Sequence, residues 1–326
     1  MKKREIVKNV AYFCVILILV LVMIYSGLQI LESTVFSQVE DPTVPSKTIT
    51  RNGVDYFPRQ DITIIMMLGI DEFGPVRDSG SYNNDGVADV VMLLIFDETN
   101  EECRVLSLNR DTMLEMPVLG IGGKPAGTLY GQLGLSHTYG SGLTDSCENT
   151  RKAVSDFLYG INIDYYVSAN MDAIPILNDA VGGVQVTVVD DFSQIDPSIA
   201  MGEVTLQGEQ AIHFVRTRRG LGDQLNVSRV ERQKEYMDGL LDAIGSKLEQ
   251  SDTFALTTYE AVSPYIVTDC SVNTLTGMMD RYTNYPVVEI ISPEGENVLG
   301  EEYYEFHVDA ERLDDLILRL FYAPKK

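Results

Sequence analysis

The sequence contains no tryptophan, and it has only three histidines and four cysteines in 326 residues. The histidines lie far apart, without the ligand spacing of a zinc site, at His137, His213 and His307. The cysteines form no C-x-x-C pair, and three of them remain outside the N-terminal apolar segment: Cys103, Cys147 and Cys270. This usage favours buried free thiols and excludes a disulfide-stapled fold or a cysteine-based metal centre.

Basic residues are also scarce. Lysine and arginine number 25 against 48 acids, which gives a formal net charge of -23. Nucleic-acid binding needs a broad positive potential, so we predict no nucleic-acid partner. The stretch GIGGK lacks the spacing and the Ser or Thr of a phosphate-binding P-loop, and no G-x-S-x-G nucleophile elbow is present.

The N-terminus has the pattern of a membrane anchor. Residues 10–30 are apolar and uncharged, long enough to span roughly 30 Å of hydrocarbon as a helix. Basic residues precede this run and acids follow it, which places the N-terminus inside the cell. We predict a cytoplasmic tail at 1–9, a transmembrane anchor at 10–30, a polar stalk at 31–60 and an extracellular domain on a single-pass cell-membrane protein. A cleaved signal peptide is the alternative, although such apolar segments usually have only about 7–15 residues.

Strand and helix patterns alternate after residue 60. Continuous apolar runs at 61–70, 90–96 and 104–108 predict buried strands, and 144–159 predicts a helix. Helices and strands continue to alternate to about residue 250, which indicates α/β layers. We expect a layered α-β-α sandwich with a central mixed sheet over 61–250, and residues 251–326 as an extension that completes or flanks it.

Arginines are concentrated in FVRTRRGLGDQLNVSRVERQ, residues 214–233. If 214–218 is extended, Arg216 and Arg218 share one face. A capping box at Ser228 predicts the start of a long helix, in which Arg229 and Gln233 are neighbours and Arg232 lies beside them. Converging guanidinium groups suit a diphosphate. The alternative is a solvated arginine face paired with acids such as Asp223 and Glu231.

Acidic residues lie next to the predicted strands. Asp71 follows the first strand and Asp89 precedes the second, so the two carboxylates suit a hard divalent cation such as Mg²⁺ (or Mn²⁺). The alternative is that each aspartate has only a structural role and caps a loop. Arg110 and Asp111 follow the third strand, where they form either a second wall of an anion site or a structural ion pair.

In order along the chain, these segments resemble the LytR–CpsA–Psr family of cell-envelope proteins. The resemblance covers roughly residues 61–245 and rests on LGID, VADVV, NRDT, INIDYYV, DAVGGVQV, GEQAIHFVRTR and SRVERQ. Two positions depart from the family pattern, which often has an arginine after the first aspartate and another before the second. Here those positions hold Glu72–Phe73 and Ala88.

The resemblance implies a phosphotransferase that moves a glycopolymer, such as teichoic acid or capsule, from a polyprenyl diphosphate carrier to peptidoglycan. It implies Asp71 and Asp89 as ligands of Mg²⁺. The implied diphosphate ligands are Arg110, Arg216, Arg218, Arg229, Arg232 and Gln233, and the implied catalytic residues are Arg110, Asp111, Arg216, Arg218 and Asp223. A non-catalytic regulator that binds lipid-linked precursors and a pyrophosphate hydrolase remain alternatives.

Overall fold

The structure is a computed structural model that describes residues 48–51, 53–120, 122–217, 226–251, 253–271, 285–300 and 303–324, with isolated residues between 274 and 282. In the helices between 226 and 262, only the backbone is described for some residues. The predicted tail, the predicted anchor and most of the predicted stalk lie outside these ranges. Within them, no helix is both long enough and apolar enough to cross a membrane.

Along the described chain, seven strands come before the first α-helix, and helices and strands are mixed after it. The strands are β1 Ile49–Arg51, β2 Val54–Pro58, β3 Ile62–Ile70, β4 Ala88–Asp97, β5 Glu102–Leu108, β6 Met113–Leu119, β7 Pro125–Gln132, β8 Tyr165–Asn170, β9 Val184–Val188, β10 Gly202–Leu206, β11 Ile266–Thr268, β12 Val287–Ile291, β13 Gly295–Leu299, β14 Tyr304–Val308 and β15 Tyr322–Pro324. The α-helices are α1 Thr144–Phe157, α2 Ala173–Ala180, α3 Glu209–Arg216, α4 Asn226–Gln250, α5 Phe254–Val262 and α6 Ala310–Phe321. Short 3₁₀ helices lie at Leu133–Tyr139 and Ser263–Tyr265.

The chain divides into two compact units. The sheet unit contains the described parts of residues 33–170, 266–270 and 288–326, and the helical unit contains those of 171–265 and 271–287. The main sheet has six strands in the order β11-β8-β3-β4-β5-β12. Strand β3 pairs antiparallel with β4 and parallel with β8, so the predicted mixed sheet is confirmed.

The sheet is buried because its central strands are apolar on both faces. On one face, alternate residues such as Ile64 and Met66 belong to a hydrophobic cluster that includes Val154 of α1 and Ile317 of α6. On the other face, residues such as Ile65 are also almost fully buried. This two-sided burial explains why the strand sequences read as continuous apolar runs.

The helical unit has its own core. Helix α4 packs on β9 and on α3, while α2 packs on α3 and α5. A Cβ at Gly239 of α4 would lie 2.3 Å from the carbonyl oxygen of Gln185, so this close approach of helix to strand requires glycine. Strands β9 and β10 form an antiparallel hairpin beside the helices.

Three sequence-based predictions are wrong in detail. The stalk does not extend to residue 60, because β1 and β2 pair with each other and β2 pairs with β15, with Ile49 and Tyr56 packed against the core. Residues 214–216 are helical, because 209–216 forms α3 and buries Ala211, Ile212 and Val215 at helical spacing. Helix α4 begins at Asn226, so Ser228 lies within it and is not its N-cap.

Candidate active site

Strand register brings three predicted site residues to one edge of the main sheet. Ile70 of β3 pairs with Ala88 of β4, so Asp71 and Asp89 occupy adjacent strand ends. The backbone amide of Asp71 continues the pairing by donating to the carbonyl oxygen of Val87 at 2.9 Å. Because β5 is antiparallel to β4, its C-terminal end, followed by Arg110, reaches the same edge.

Asp89 occupies an irregularity in the ladder. Gly69 pairs with Val90 and Ile70 pairs with Ala88, which leaves Asp89 as an extra residue on β4. Such a β-bulge turns a side chain away from its regular direction and is common beside active sites. The bulge therefore gives the Asp89 carboxylate an orientation that a regular strand would not provide.

The Arg110 side chain lies between two carboxylates. Its Nη1 donates to Oδ1 of Asp89, and its Nε lies 3.5 Å from Oδ1 of Asp111. The backbone of Arg110 is also held, because its carbonyl oxygen accepts from the amide of Gly134 at 2.8 Å. The guanidinium is therefore oriented from two sides while it remains partly open to solvent.

A second polar contact extends from Asp111 to a neighbouring hairpin. Nε2 of Gln132 donates to Oδ1 of Asp111 at 3.1 Å and to the carbonyl oxygen of Tyr304 at 2.8 Å. The Asp111 amide donates to Oδ1 of Asn109 at 3.0 Å. Asp111 is thus fixed in position and contacts Arg110, which fits the predicted role of orienting the arginine.

A buried network of hydrogen bonds, which the sequence did not predict, holds the segment that leads to Asp89. Nδ2 of Asn84 donates to the carbonyl oxygens of His137 and Gly140 at 2.9 and 2.8 Å, and its Oδ1 accepts from the Gly86 amide at 2.7 Å. Nδ1 of His137 donates to the Gly86 carbonyl at 2.8 Å. Burial lowers the pKa of His137 to about 4, so this ring is neutral at physiological pH. Asn84 and Gly86 lie more than 50 residues from His137 and Gly140 in sequence, and no local motif links the two segments.

As oxygen ligands, the carboxylates of Asp71 and Asp89 would suit Mg²⁺ better than Zn²⁺. Among the described residues, no group of three or more His, Cys, Asp or Glu side chains is arranged to hold a metal. Mg²⁺ commonly uses one or two carboxylates and completes its octahedron with water and substrate phosphate oxygens. Carboxylates at two adjacent strand ends would supply the protein part of such a donor set, and Asp71 and Asp89 stay the predicted ligands.

The burial of Ala88 explains one departure from the family pattern, the absence of an arginine before Asp89. Ala88 is fully buried and belongs to the hydrophobic cluster of the sheet unit. A charged side chain at this position would enter the core, so Ala88 contributes packing and no positive charge. Arg110 is thus the guanidinium that the described sheet unit provides beside Asp89.

Two predicted diphosphate ligands are described in the helical unit. Arg216 is the last residue of α3 and its side chain is exposed. Arg232, on α4, is only 4% exposed. The condition that residues 214–218 are extended therefore does not hold for Arg216, which ends α3, and its role as a diphosphate ligand stays a prediction.

The Arg232 guanidinium makes hydrogen bonds, an ion pair and an aromatic contact within the helical unit. Its Nε donates to the carbonyl oxygen of Phe214 at 2.9 Å, its Nη2 donates to that of Thr217, and its Nη1 pairs with Asp190. The guanidinium carbon also lies 5.6 Å from the ring centre of Phe192. These contacts fix the chain where it leaves α3, so the geometry favours a positioning role for Arg232 over the predicted direct contact with a diphosphate.

The remaining predicted site residues are only partly covered. Arg218 and Asp223 lie outside the described residues. Arg229 and Gln233 lie on α4, but their side chains are outside the description. Their roles stay predictions.

A family model and several known proteins match this chain. The model described as the LytR_cpsA_psr family matches residues 30–320. The chain belongs to the LytR–CpsA–Psr family. It is therefore a member of a family whose matched curated relatives are named as transferases.

Two relatives carry the name polyisoprenyl-teichoic acid–peptidoglycan teichoic acid transferase TagU. The chain is 25% identical to the protein from Oceanobacillus iheyensis over 290 residues, which cover 86% of this chain and 82% of that protein. It is 30% identical to the protein from Bacillus cereus strain AH820 over 177 residues, or 54% of this chain, and it spans about half (51%) of that relative. A solved structure titled "TagT bound to LIIa-WTA" is similar with a TM-score of 0.54 and 25% identity, over 80% of this chain and 90% of that one.

Proposed function

We propose that this LytR–CpsA–Psr protein transfers a glycopolymer from a polyprenyl diphosphate carrier to a hydroxyl group of peptidoglycan. The names of its relatives support attachment of teichoic acid to the cell wall. The observation that carries the chemistry is the ion pair between Arg110 and Asp89 at the bulged edge of the sheet. A partly open guanidinium that is oriented by the carboxylates of Asp89 and Asp111 suits phosphoryl transfer more than acyl transfer or redox chemistry.

The proposed reaction breaks one phosphoanhydride bond. The oxygen of the acceptor hydroxyl attacks the phosphorus that carries the polymer, and the bond from that phosphorus to the bridging oxygen breaks. The bridging oxygen leaves with polyprenyl monophosphate, and the hydroxyl proton passes to a carboxylate, for which Asp111 is the described candidate. The product is a phosphodiester between polymer and peptidoglycan.

Arg110 contributes by neutralising negative charge on the transferring phosphate. Its contacts with Asp89 and Asp111 hold the guanidinium in place before the substrate arrives. Preorganised charge of this kind lowers the barrier because little reorganisation is needed during the reaction. Asp71 and Asp89 would hold Mg²⁺ (or Mn²⁺), which supplies further charge neutralisation at the phosphate oxygens.

The location of the site follows from the predicted anchor. A single membrane span with its N-terminus in the cytoplasm would place the sheet unit outside the cell, where the lipid-linked polymer and peptidoglycan meet. The donor in this proposal is a lipid-linked wall polymer and the acceptor is peptidoglycan, with no nucleic acid involved.

The test uses the full chain in detergent with a radiolabelled polyprenyl diphosphate-linked glycan, peptidoglycan glycan strands and Mg²⁺. The proposal predicts label on the peptidoglycan together with polyprenyl monophosphate. Free phosphorylated glycan in place of labelled peptidoglycan would identify a hydrolase. Bound but unchanged donor would identify a non-catalytic binding protein, and either result would reject the proposal.

A further inference from the structure

Three tyrosines are strongly exposed on two hairpins of the sheet unit. Tyr130 of β7 is 57% exposed, Tyr304, the first residue of β14, is 63% exposed, and Tyr303, just before it, is 67% exposed. Their phenol groups make no hydrogen bond or ion pair within the part of the chain that is described. We call Tyr130, Tyr303 and Tyr304 the tyrosine surface. Large aromatic side chains that are exposed on neighbouring hairpins are candidates for an interaction site.

The tyrosine surface is continuous with the candidate active site through Gln132. Tyr130 and Gln132 are two residues apart on β7 and therefore lie on the same face of the strand. Nε2 of Gln132 contacts both the carbonyl oxygen of Tyr304 and the carboxylate of Asp111, which lies against Arg110. One side chain thus joins the two hairpins to the residues proposed to act on the phosphate.

Backbone pairing holds the second hairpin in this position. The amide of Phe306 donates to the carbonyl oxygen of Asp111 at 2.8 Å, and Phe306 forms a parallel bridge with Thr112. Phe306 is buried, so it anchors β14 while the nearby tyrosines remain exposed. Tyr303 and Tyr304 are therefore held next to a strand whose position is fixed.

Acidic residues near the tyrosine surface indicate which kind of ligand it can bind. The described part of segment 295–308 carries Glu296 and Glu305 and no lysine or arginine. Across the β6–β7 hairpin, Glu115 pairs with Tyr130. These carboxylates disfavour a polyanionic polymer and an anionic membrane surface, so a ligand without dense negative charge fits best.

Uncharged sugar rings match this surface. A pyranose ring presents a face of C–H bonds that packs on an aromatic ring, while its hydroxyl groups hydrogen-bond to phenol oxygens and carboxylates. Tyrosine provides a large amphipathic contact at low entropic cost because its side chain has few rotatable bonds.

We propose that the tyrosine surface binds the glycan backbone of the peptidoglycan acceptor and directs its hydroxyl toward Arg110. This inference rests on the proposed transferase function and adds a location for the acceptor. Tyr130 and Tyr304 stack on successive sugars, and Gln132 links their position to Asp111.

The experiment measures binding of uncross-linked, soluble peptidoglycan glycan strands to the full chain in detergent by calorimetry. The variants are Tyr130→Ala, Tyr304→Ala, their combination, and the Tyr→Phe pair at the same positions. Phe57→Ala is the matched control, since Phe57 is an aromatic residue on β2 of the same unit and is 39% exposed. Circular dichroism and thermal melting confirm that each variant is folded.

Each alanine variant should raise the Kd for the glycan strands by ~10-fold, as expected when a stacking aromatic is lost. The Phe variants, which keep the rings, should lose less, and Phe57→Ala should bind like the parent. In the transfer assay, the double alanine variant should show a raised KM for the acceptor. Its kcat at saturating acceptor should stay within a factor of about two of the parent, because the lost contacts bind the ground state and the transition state equally. Binding of the lipid-linked donor should not change.

Failure of this inference is distinguishable from failure of the proposed function. If the parent transfers polymer but the double variant has the same acceptor Kd and KM, the tyrosine surface is not the acceptor site. If the parent neither binds strands nor transfers polymer, both proposals fall. Loss of binding to zwitterionic lipid vesicles, or a change from dimer to monomer, with glycan binding intact would assign the tyrosine surface to a membrane or to a second copy and overturn the inference.

Discussion

Arg110 forms an ion pair with Asp89 at the edge of the sheet, just beyond Val91 and Leu108, the last paired residues of β4 and β5. Asp89 is at once the extra residue of a β-bulge, a predicted metal ligand and the partner of the arginine. The Asp89 carboxylate therefore connects the two positive charges that the proposed reaction needs, the predicted metal ion and the Arg110 guanidinium.

Arg110→Ala should lower kcat/KM for polymer transfer by roughly 10²- to 10³-fold, the usual effect of removing one charge-stabilising group from a transition state. Arg110→Lys should recover only part of this loss, because an ammonium group cannot contact Asp89 and a phosphate with the same fork. The control is Arg312→Ala, which removes an exposed arginine paired with Glu294 and should leave the rate unchanged. Equal rates for Arg110→Ala and the parent would exclude Arg110 from the chemistry.

Asp71→Asn and Asp89→Asn should each weaken Mn²⁺ binding at least ~10-fold, because a neutral amide replaces one of the two charged ligands. Electron paramagnetic resonance of Mn²⁺ added to the full chain measures this without reference to activity. Asp156→Asn is the control, since Asp156 is an exposed residue of α1 paired with Lys152. Unchanged Mn²⁺ affinity in both site variants would show that these aspartates do not hold the metal.

Arg232→Ala should lower the free energy of unfolding by about 3 kcal/mol, because removing one member of a buried ion pair leaves its partner uncompensated. Here the groups that lose their partner are Asp190 and the carbonyl oxygens of Phe214 and Thr217. Denaturant unfolding of the variant measures the change, with Arg312→Ala as the exposed comparison. A variant with parental stability but lost diphosphate binding would instead support the direct ligand role predicted from sequence.

His137 should make stability depend on pH between about 6.5 and about 4. Its folded-state pKa is about 4 because of burial, whereas the ordinary value is 6.5. The unfolded chain therefore takes up a proton in this window that the folded chain does not, and folding stability falls as pH decreases. The contribution is roughly 3 kcal/mol across the window.

The difference in pH dependence between the parent and His137→Asn isolates this contribution. The variant should show a shallower loss of unfolding free energy between pH 6.5 and 4, because the carboxylates that titrate in the same range remain in both proteins. Parallel curves for the two proteins would contradict the assignment.

The sequence was sufficient to predict the central strands. Their apolar runs are long because both faces of the sheet are buried, and β3, β4 and β5 lie where the patterns indicate. The convergence of Asp71, Asp89 and Arg110 was also predictable in outline, because each residue adjoins a strand end. The bulge that orients Asp89 was not, since it arises from register between two strands and no local residue marks it.

The arginine-rich stretch shows a different limit. Parity along an assumed strand suggested that Arg216 faces a ligand, but apolar residues at helical spacing place this segment in α3. Helix spacing beside Arg229 and the family resemblance assigned Arg232 to the diphosphate. In the structure, Arg232 instead contacts Asp190, Thr217 and Phe192. The signals that distinguish a buried structural arginine from a ligand are contacts with residues 15 to 42 positions away, which sequence spacing does not reveal.

The central claim is that the phosphate next to the polymer moves with it to the acceptor. Mass spectrometry and ³¹P NMR of the products test it directly, with the full chain, a lipid-linked donor and peptidoglycan glycan strands. The account predicts equal amounts of polyprenyl monophosphate and of polymer joined to peptidoglycan through a phosphodiester, and loss of both products in Arg110→Ala. Release of polyprenyl diphosphate with a glycosidic bond to the acceptor would contradict it.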